Sequence, residues 1–329
     1  MPTRFVILTI ILFVFSCSNS QKSRKADSNF FAYYNSFFIA EKSFNEAIEE
    51  IESMEEVDGN ISSKAKNLFE EAIKNALIIE KDFYQTKYLD DAYFILGKSS
   101  YFINRLTSSK YYFNRLKNDF PNSEFLEEVL IWLSYVDLEI GYIDQVKEDL
   151  LLYKANYNQM NNSKKYLTDL LFAKVANYED KLNDEKIHYI SAIKHSINKY
   201  QKLFLYRKLL LIAEYEKNYA DAILYINYIE KNSDNDLSED LLEKWFLYNR
   251  LLAKHDDVLN KINKKIDGEL SPIDYIYYNI EKSKTFLDKN EIDKSINILN
   301  EIFDKYKEDN TYKNKLGEAY LLLGEIYLK

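Results

Sequence analysis

Three histidines, one cysteine and a large excess of carboxylates are the side chains of this 329-residue sequence most able to take part in chemistry. His188 and His195 stand seven apart, which sets both on one face of a helix, because two turns return residue i+7 to the position of residue i. A zinc hydrolase needs the His-Glu-x-x-His spacing, which neither histidine has, so the pair reads as helix-surface histidines. His255 takes an otherwise apolar position and reads as packing or a local hydrogen bond. The run Asp234-Asn235-Asp236-Leu237-Ser238-Glu239-Asp240 alternates oxygen donors as a calcium loop does but lacks the turn glycine. Asp236 with Glu239 serves equally well as a helix cap. Pairs such as Glu49-Glu50 and Glu127-Glu128 point to different faces of a helix and make solvated charge, not an acid-base dyad. The reading is therefore of a chain that is not an enzyme, with no cofactor and no metal.

The elements that must position these residues are helices. Only 6 Gly and 3 Pro occur, against average usage of roughly 7% and 5%, so tight turns and glycine-rich phosphate loops are scarce and long helices follow. The 29 Tyr and 20 Phe supply large packing groups whose hydroxyls reach the edge of a thin, two-layer structure. A formal charge of -9 with interspersed signs disfavours nucleic acid, which requires clustered Lys and Arg on one face.

Cys17 follows the apolar run Phe5 to Ser16 and precedes the polar Ser18-Asn19-Ser20-Gln21-Lys22-Ser23. Twelve helical residues span roughly 18 Å, short of the ~30 Å bilayer core, so a permanent transmembrane helix is not expected. Arg4, the apolar run and small Ser16 form the layout of a cleaved export signal. Val14-Phe15-Ser16-Cys17 resembles the lipobox of bacterial lipoproteins, which implies acylation of Cys17 and anchoring by several acyl chains. An ordinary secretory signal with an incidental cysteine, and an uncleaved anchor, are the alternatives. With one cysteine no intrachain disulfide forms.

The expected organisation is a signal peptide over 1–16, a lipidated cysteine and tether over 17–28, a long N-terminal helix hairpin over 29–84, and a repeat array over 85–329. In the hairpin, Phe30, Phe31, Tyr34, Phe37, Phe38, Phe44, Ala47, Ile48, Ile51 and Met54 form one apolar stripe. Asp58-Gly59-Asn60 ends that helix, and a second runs through Ala65, Leu68, Phe69, Ala72, Ile73 and Ala76 to Ile79. Beyond residue 85, six-residue segments beginning at Asn104, Gly141, Lys217, Ala253 and Asn290 open successive second helices. Each ends on a small or β-branched residue (Ser109, Val146, Ala222, Val258, Ser295), with Phe113, Leu150, Ile226, Ile262 and Leu299 one turn further along the same face. The gap between Val146 and Ala222 leaves room for one degenerate unit around Tyr166 to Tyr200. Ser271-Pro272-Ile273-Asp274 is a helix start: serine caps, proline fits the first turn, and aspartate suits the positive dipole end.

Two helices in a period of 36 to 37 residues resemble the tetratricopeptide repeat. Within Asp90 to Pro121, Leu96-Gly97, Ser109, Phe113 and Pro121 match its consensus, whereas Lys282, Trp245-Phe246 and Leu209-Leu210 depart from it. The resemblance implies an all-α fold, a right-handed α-solenoid of stacked antiparallel helix pairs. It also implies that first helices line a concave surface. On the matching positions this expectation falls on Phe94, Tyr101, Ile131, Tyr135, Arg207, Tyr215, Arg250 and Tyr277, as anchors for an extended peptide or a partner helix or, alternatively, as packing between units. The lipobox, tether, helix pairs and Phe120-Pro121-Asn122-Ser123 junction together are similar to the BamD-like outer-membrane assembly lipoproteins. The segment from Tyr33 to Phe44 is similar to repeat lipoproteins of secretion or gliding machinery. These resemblances imply a lipid-anchored adaptor on the periplasmic side of the outer membrane, with β-barrel assembly or secretion components as partners. A solute- or glycan-binding lipoprotein is the alternative and would need a closed aromatic pocket.

Overall fold

A computed structural model describes residues 36–53 and 61–328; the export signal, Cys17, the tether and the Asp58-Gly59-Asn60 break lie outside the described residues. Fifteen α-helices and two short 3-10 turns make up the described chain, with no strand among them. The helices are α1 (Phe38–Ser53), α2 (Ser63–Asp82), α3 (Leu89–Phe102), α4 (Leu106–Asp119), α5 (Leu126–Glu139), α6 (Ile143–Asn156), α7 (Asn162–Tyr178) and α8 (Leu182–His195). They continue as α9 (Lys199–Tyr215), α10 (Tyr219–Asn232), α11 (Glu239–Leu251), α12 (His255–Ile266), α13 (Pro272–Asp288), α14 (Ile292–Tyr306) and α15 (Lys313–Leu328). The fold is the all-α array of stacked helix pairs that the sequence pattern implies. Two compact units divide it, one ending at Leu205 and one beginning at Tyr206, within α9.

One backbone device joins the two helices of six pairs, from α3–α4 to α13–α14. Asn104, Gly141, Asp180, Lys217, Ala253 and Asn290 adopt left-handed backbone with φ between 54° and 92°. Around each, the next residue's N–H reaches back five residues to a carbonyl, as in Arg105 to Ser100 (2.7 Å), Lys181 to Ala176 (2.8 Å) and Lys254 to Asn249 (2.8 Å). The left-handed residue itself donates three residues back, as Asn104 does to Tyr101 at 2.9 Å. These paired bonds form the Schellman motif, which satisfies carbonyls that a helix end leaves bare. The following residue then starts the second helix without a loop.

Those left-handed residues are the first positions of the repeated segments, and Asp180 supplies the sixth, placing the degenerate unit at α7–α8. Downstream of each link the pattern holds in three dimensions. Ser109, Val146, Ala222, Val258 and Ser295 are fully buried, and Phe113, Leu150, Ile226, Ile262 and Leu299 are buried beside them. In α8 the same two positions carry Glu185 and Tyr189, both buried. Asn177 Nδ2 donates to Glu185 at 3.1 Å, and the Tyr189 hydroxyl bonds the same carboxylate. A charged residue thus replaces the small one here because the facing groups supply donors, which removes the penalty of an unpaired buried charge.

In the first unit one core runs from Phe37 and Phe44 of the N-terminal hairpin through Phe69, Phe94, Phe113 and Trp132 to Val175. Apolar burial of this kind is the main term stabilising a stack whose single hairpins cannot cover their own stripes. In the second unit Ile276, Ile280, Leu299, Ile302, Phe303 and Leu316 form a corresponding cluster. Ser271 caps α13, accepting from the Asp274 N–H at 3.1 Å with Pro272 in the first turn, as its sequence implies. The start of α11 differs from expectation: Ser238, not Asp236, is the cap and accepts from the Leu241 N–H. A serine directly before the first helical residue is better placed for that bond than an aspartate two residues earlier.

Candidate functional site

Counting back from each left-handed link selects equivalent positions on the first helices. Six residues before it stand Lys98, Tyr135, Lys174, Leu211, Leu247 and Lys284; two before it stand Phe102, Glu139, Tyr178, Tyr215, Leu251 and Asp288. The two positions are four apart, so each helix presents them as neighbours on one face.

In the first unit side chains on this face pair with one another around Lys98 and Lys174, while Tyr178 is exposed. The Lys98 ammonium sits over the rings of Phe94 (4.8 Å), Trp132 (5.1 Å) and Phe44 (5.4 Å). Glu128 holds it at 3.1 Å and also accepts from Trp132 Nε1 at 3.0 Å. Lys174 pairs with Glu139 at 2.6 Å, and the Tyr101 hydroxyl donates to the same carboxylate. Aromatic faces and a carboxylate together satisfy a desolvated cation, which fixes these helices against one another.

Over α9 and α11 of the second unit the corresponding face is open and apolar, while α13 carries Lys284 and Asp288 there. Leu211 is 48% exposed, Tyr215 81%, Leu247 44% and Leu251 54%. Beneath them the polar groups are tied off: the Tyr248 hydroxyl donates to Glu214 at 2.8 Å, and Lys244 meets Glu214 at 3.2 Å. These bonds hold α9 beside α11, so the four apolar side chains form a two-by-two patch. Arg250 is committed to the buried Glu281 and to Asp288 at 3.2 Å. Covering such a patch contributes about 1 kcal/mol or more per side chain.

The anticipated groove residues fall into different surroundings. Phe94, Ile131, Tyr135 and Tyr277 are buried in the stack. Phe94 stacks on Phe125 at 4.5 Å, and the Tyr135 hydroxyl donates to the Leu167 carbonyl at 2.8 Å. The rings of Phe94, Tyr135 and Tyr277 lean across to the neighbouring hairpin, which accounts for their burial. Tyr101 packs edge-on against Trp132 and Tyr135. Arg207 is half-buried and Arg250 is held in its ion pair, while Tyr215 faces solvent. The Tyr277 hydroxyl is buried without a hydrogen-bond partner, and burial, with Glu281 nearby, pushes its ionisation well above the usual tyrosine range. Leu211, Leu247 and Leu251 escaped the sequence reading; aligning the units on their links brings them out.

Titratable residues of α7 and α8 also assemble. Asp169 is buried on α7 and accepts from the Tyr157 hydroxyl at 2.7 Å. Burial holds its carboxyl above the usual carboxylate range, while hydrogen bonds from Tyr157 and Ser191 oppose the rise. His188 stacks on Phe172 at 4.8 Å, and burial lowers its basicity. His195 meets the Tyr157 ring edge-on and lies 3.4 Å from the Asn162 side chain. Ser191 bonds the carboxylate directly, so this arrangement gives its hydroxyl no histidine base. A cavity of ≈ 600 Å³ in the first unit is lined by Glu46, Glu49, Glu50, Glu52, Lys64, Asn198 and Tyr200. Hydrogen bonds from Lys64 and Ser62 hold Glu50 below the usual carboxylate range. Asn198 and Gln201 both donate to Glu52. Among the described residues no group of three or more His, Cys, Asp or Glu side chains is placed to hold a metal ion, and no helix is long and apolar enough to cross a membrane.

The sequence matches no protein-family model and no curated protein. Among solved structures it is similar to a tetratricopeptide repeat protein from Parabacteroides merdae, with a TM-score of 0.35 and 11% identity over 86% of this chain and 99% of that one. It is also similar to a chain of the APC/C hetero-tetramer Cut9-Hcn1, with a TM-score of 0.39 and 13% identity over 86% of this chain. This chain spans about half the length of that one, 54%.

Proposed function

We propose that this protein is a non-enzymatic adaptor, held at the periplasmic face of the outer membrane by lipid on Cys17, that binds a protein partner through the first-helix face of its second unit. The observation that carries the reading is the exposed patch of Leu211, Tyr215, Leu247 and Leu251 above a fully paired polar layer. Rigid helices presenting apolar anchors at four-residue spacing suit the apolar stripe of a partner helix. The lipobox-like Val14-Phe15-Ser16-Cys17 supplies the address, and assembly or secretion of envelope proteins is the process in which such an adaptor would work.

Cross-linking in native membranes tests both parts. The wild-type chain is compared with Leu247→Asp/Leu251→Asp and with Cys17→Ser. Recovery of a β-barrel assembly or secretion complex, lost in the leucine variant while its helical content is unchanged, is the expected result. Equal recovery from the leucine variant removes the patch from the interface. Equal recovery from Cys17→Ser removes the anchor from the function.

A further inference from the structure

Far apart in sequence, the end of α1 and the start of α9 meet inside the first unit through polar groups. Glu52, in the last turn of α1, accepts from Asn198 Nδ2 at 2.8 Å and from Gln201 Nε2 at 3.0 Å, one bond to each carboxylate oxygen. Both amides are aimed by bonds of their own. Asn198, directly before α9, accepts from the Gln201 N–H at 2.8 Å, and Gln201 accepts from the Ile197 N–H at 3.0 Å. With each amide oxygen engaged at the helix start, each amide nitrogen turns to the carboxylate. The helix dipoles favour the same seat: a carboxylate in the last turn of α1 opposes that helix, whereas the N-terminus of α9 attracts it. Tyr166 of α7 is buried close by, and burial, with the Glu52 charge adding to it, raises its ionisation.

Around this contact the two elements enclose space. The cavity of ≈ 600 Å³ lies between them, lined by Glu46, Glu49, Glu50 and Glu52 of α1, by Lys64 of α2, and by Asn198 and Tyr200. Lys64 pairs with Glu50, which leaves Glu46 and Glu49 as like charges near Glu52. Two bonds to a carboxylate thus hold closed a space that the neighbouring charges push open. Bonds of this kind are replaced by bonds to water when the contact parts, so separation costs little beside the loss of an apolar core. Such a core joins the successive hairpins of the first unit.

We infer that Glu52, Asn198 and Gln201 form a latch: the end of the N-terminal hairpin seats on α9 to close the first unit, and unseats to open the acidic cavity without unfolding either helix. The bonded residues stand 146 and 149 positions apart, so release alters the curl of the first unit and leaves the junctions between successive hairpins in place. Asn198 and Gln201 keep their bonds at the start of α9 whether or not Glu52 is present, so the cradle persists when the catch leaves it. That persistence gives the contact two discrete states, the requirement for a conformational switch. The latch lies in the first unit, apart from the Leu211 patch, and does not depend on the adaptor reading.

The test is the distance between spin labels on Asn45→Cys of α1 and Lys194→Cys of α8, both exposed positions, measured by pulsed electron paramagnetic resonance. The full chain carries Cys17→Ser, which leaves no other cysteine. A dominant short distance with a minor longer one is expected. Glu52→Ala should raise the longer population about tenfold by removing two charge-assisted bonds, with helical content by circular dichroism unchanged. Asn198→Asp/Gln201→Glu keeps both oxygens at the start of α9 but sets two carboxylates against Glu52, and should open the latch as well. Adding Glu52→Lys to that pair should close it again. A distance distribution that Glu52→Ala leaves unchanged overturns the inference. So does a longer distance accompanied by loss of helix, which makes Glu52 a tie of the fold, or a failure of Glu52→Lys to close the Asn198→Asp/Gln201→Glu chain.

Discussion

Gly97 of α3 lies against the ring of Phe113 on α4, so close that an added Cβ would stand 2.4 Å from Cε1 and 2.5 Å from Cδ1. Phe113 is fully buried, and protein interiors are close-packed, so a displaced ring must push on its neighbours. Gly97→Ala should therefore destabilise the first unit by about 1–3 kcal/mol of overpacking, partly offset by alanine's better helix propensity. Combining Gly97→Ala with Phe113→Leu should recover much of that loss. Urea denaturation of the two variants checks it, and equal midpoints for Gly97→Ala and wild type would contradict the packing described.

Ala253 holds a left-handed backbone at φ 55°, which disfavours an L-residue by about 1–2 kcal/mol. Glycine relieves that strain but loses more chain entropy on folding. Ala253→Gly should stabilise the second unit by about 0.5–1 kcal/mol, and Gly141→Ala should destabilise the first by a similar amount. Opposite shifts of the two thermal midpoints are the expected readout.

Asp91, half-buried in the first turn of α3, has its carboxyl raised to about 6 by burial, with Asp90, Glu124 and Glu41 adding repulsion. Below about pH 4 it is protonated in both folded and unfolded chains. Between there and its folded value the unfolded chain releases the proton while the folded chain keeps it, so stability falls as pH rises through this window. Asp91→Asn should gain about 1 kcal/mol at pH 7, allowing for solvent screening at this partly exposed site, and nothing below about pH 4. Denaturation midpoints of both chains across this range measure it.

Arg250 and Glu281 form a buried ion pair, with Lys284 2.6 Å from the same carboxylate. Arg250→Ala leaves Glu281 with one cation and should destabilise the second unit by about 3 kcal/mol. Arg250→Met/Glu281→Met should restore most of the loss, because neither charge is then stranded. A double-mutant cycle gives the coupling directly.

The repeat was legible because each second helix needs a small residue against its partner and a large apolar one a turn later, and Ser109 with Phe113 or Val258 with Ile262 show both in sequence. The α7–α8 hairpin was not, because Glu185 sits at the small position, made tolerable by Asn177 and Tyr189 from elsewhere in the fold. Of the residues that helix-face counting selected, Tyr215 is exposed. Phe94, Ile131, Tyr135 and Tyr277 are buried, as the packing alternative has it; periodicity alone left the two readings open, since it fixes which face a side chain leaves from but not what stands across from it. The leucines of the open patch were overlooked for the converse reason: leucine on a first helix reads as core until its neighbours are known.

The three-residue links dictate how this protein can change length. A residue inserted at Asn104 or Ala253 would rotate everything after it by about 100° and turn Phe113 or Ile262 out of the core. Between α10 and α11 the residues from Asp234 to Leu237, ahead of the capping Ser238, have no such duty. Insertions, epitopes or tags belong there, and lineages of this protein are expected to differ by whole hairpins or by connections between hairpins, with the links inherited unaltered in length.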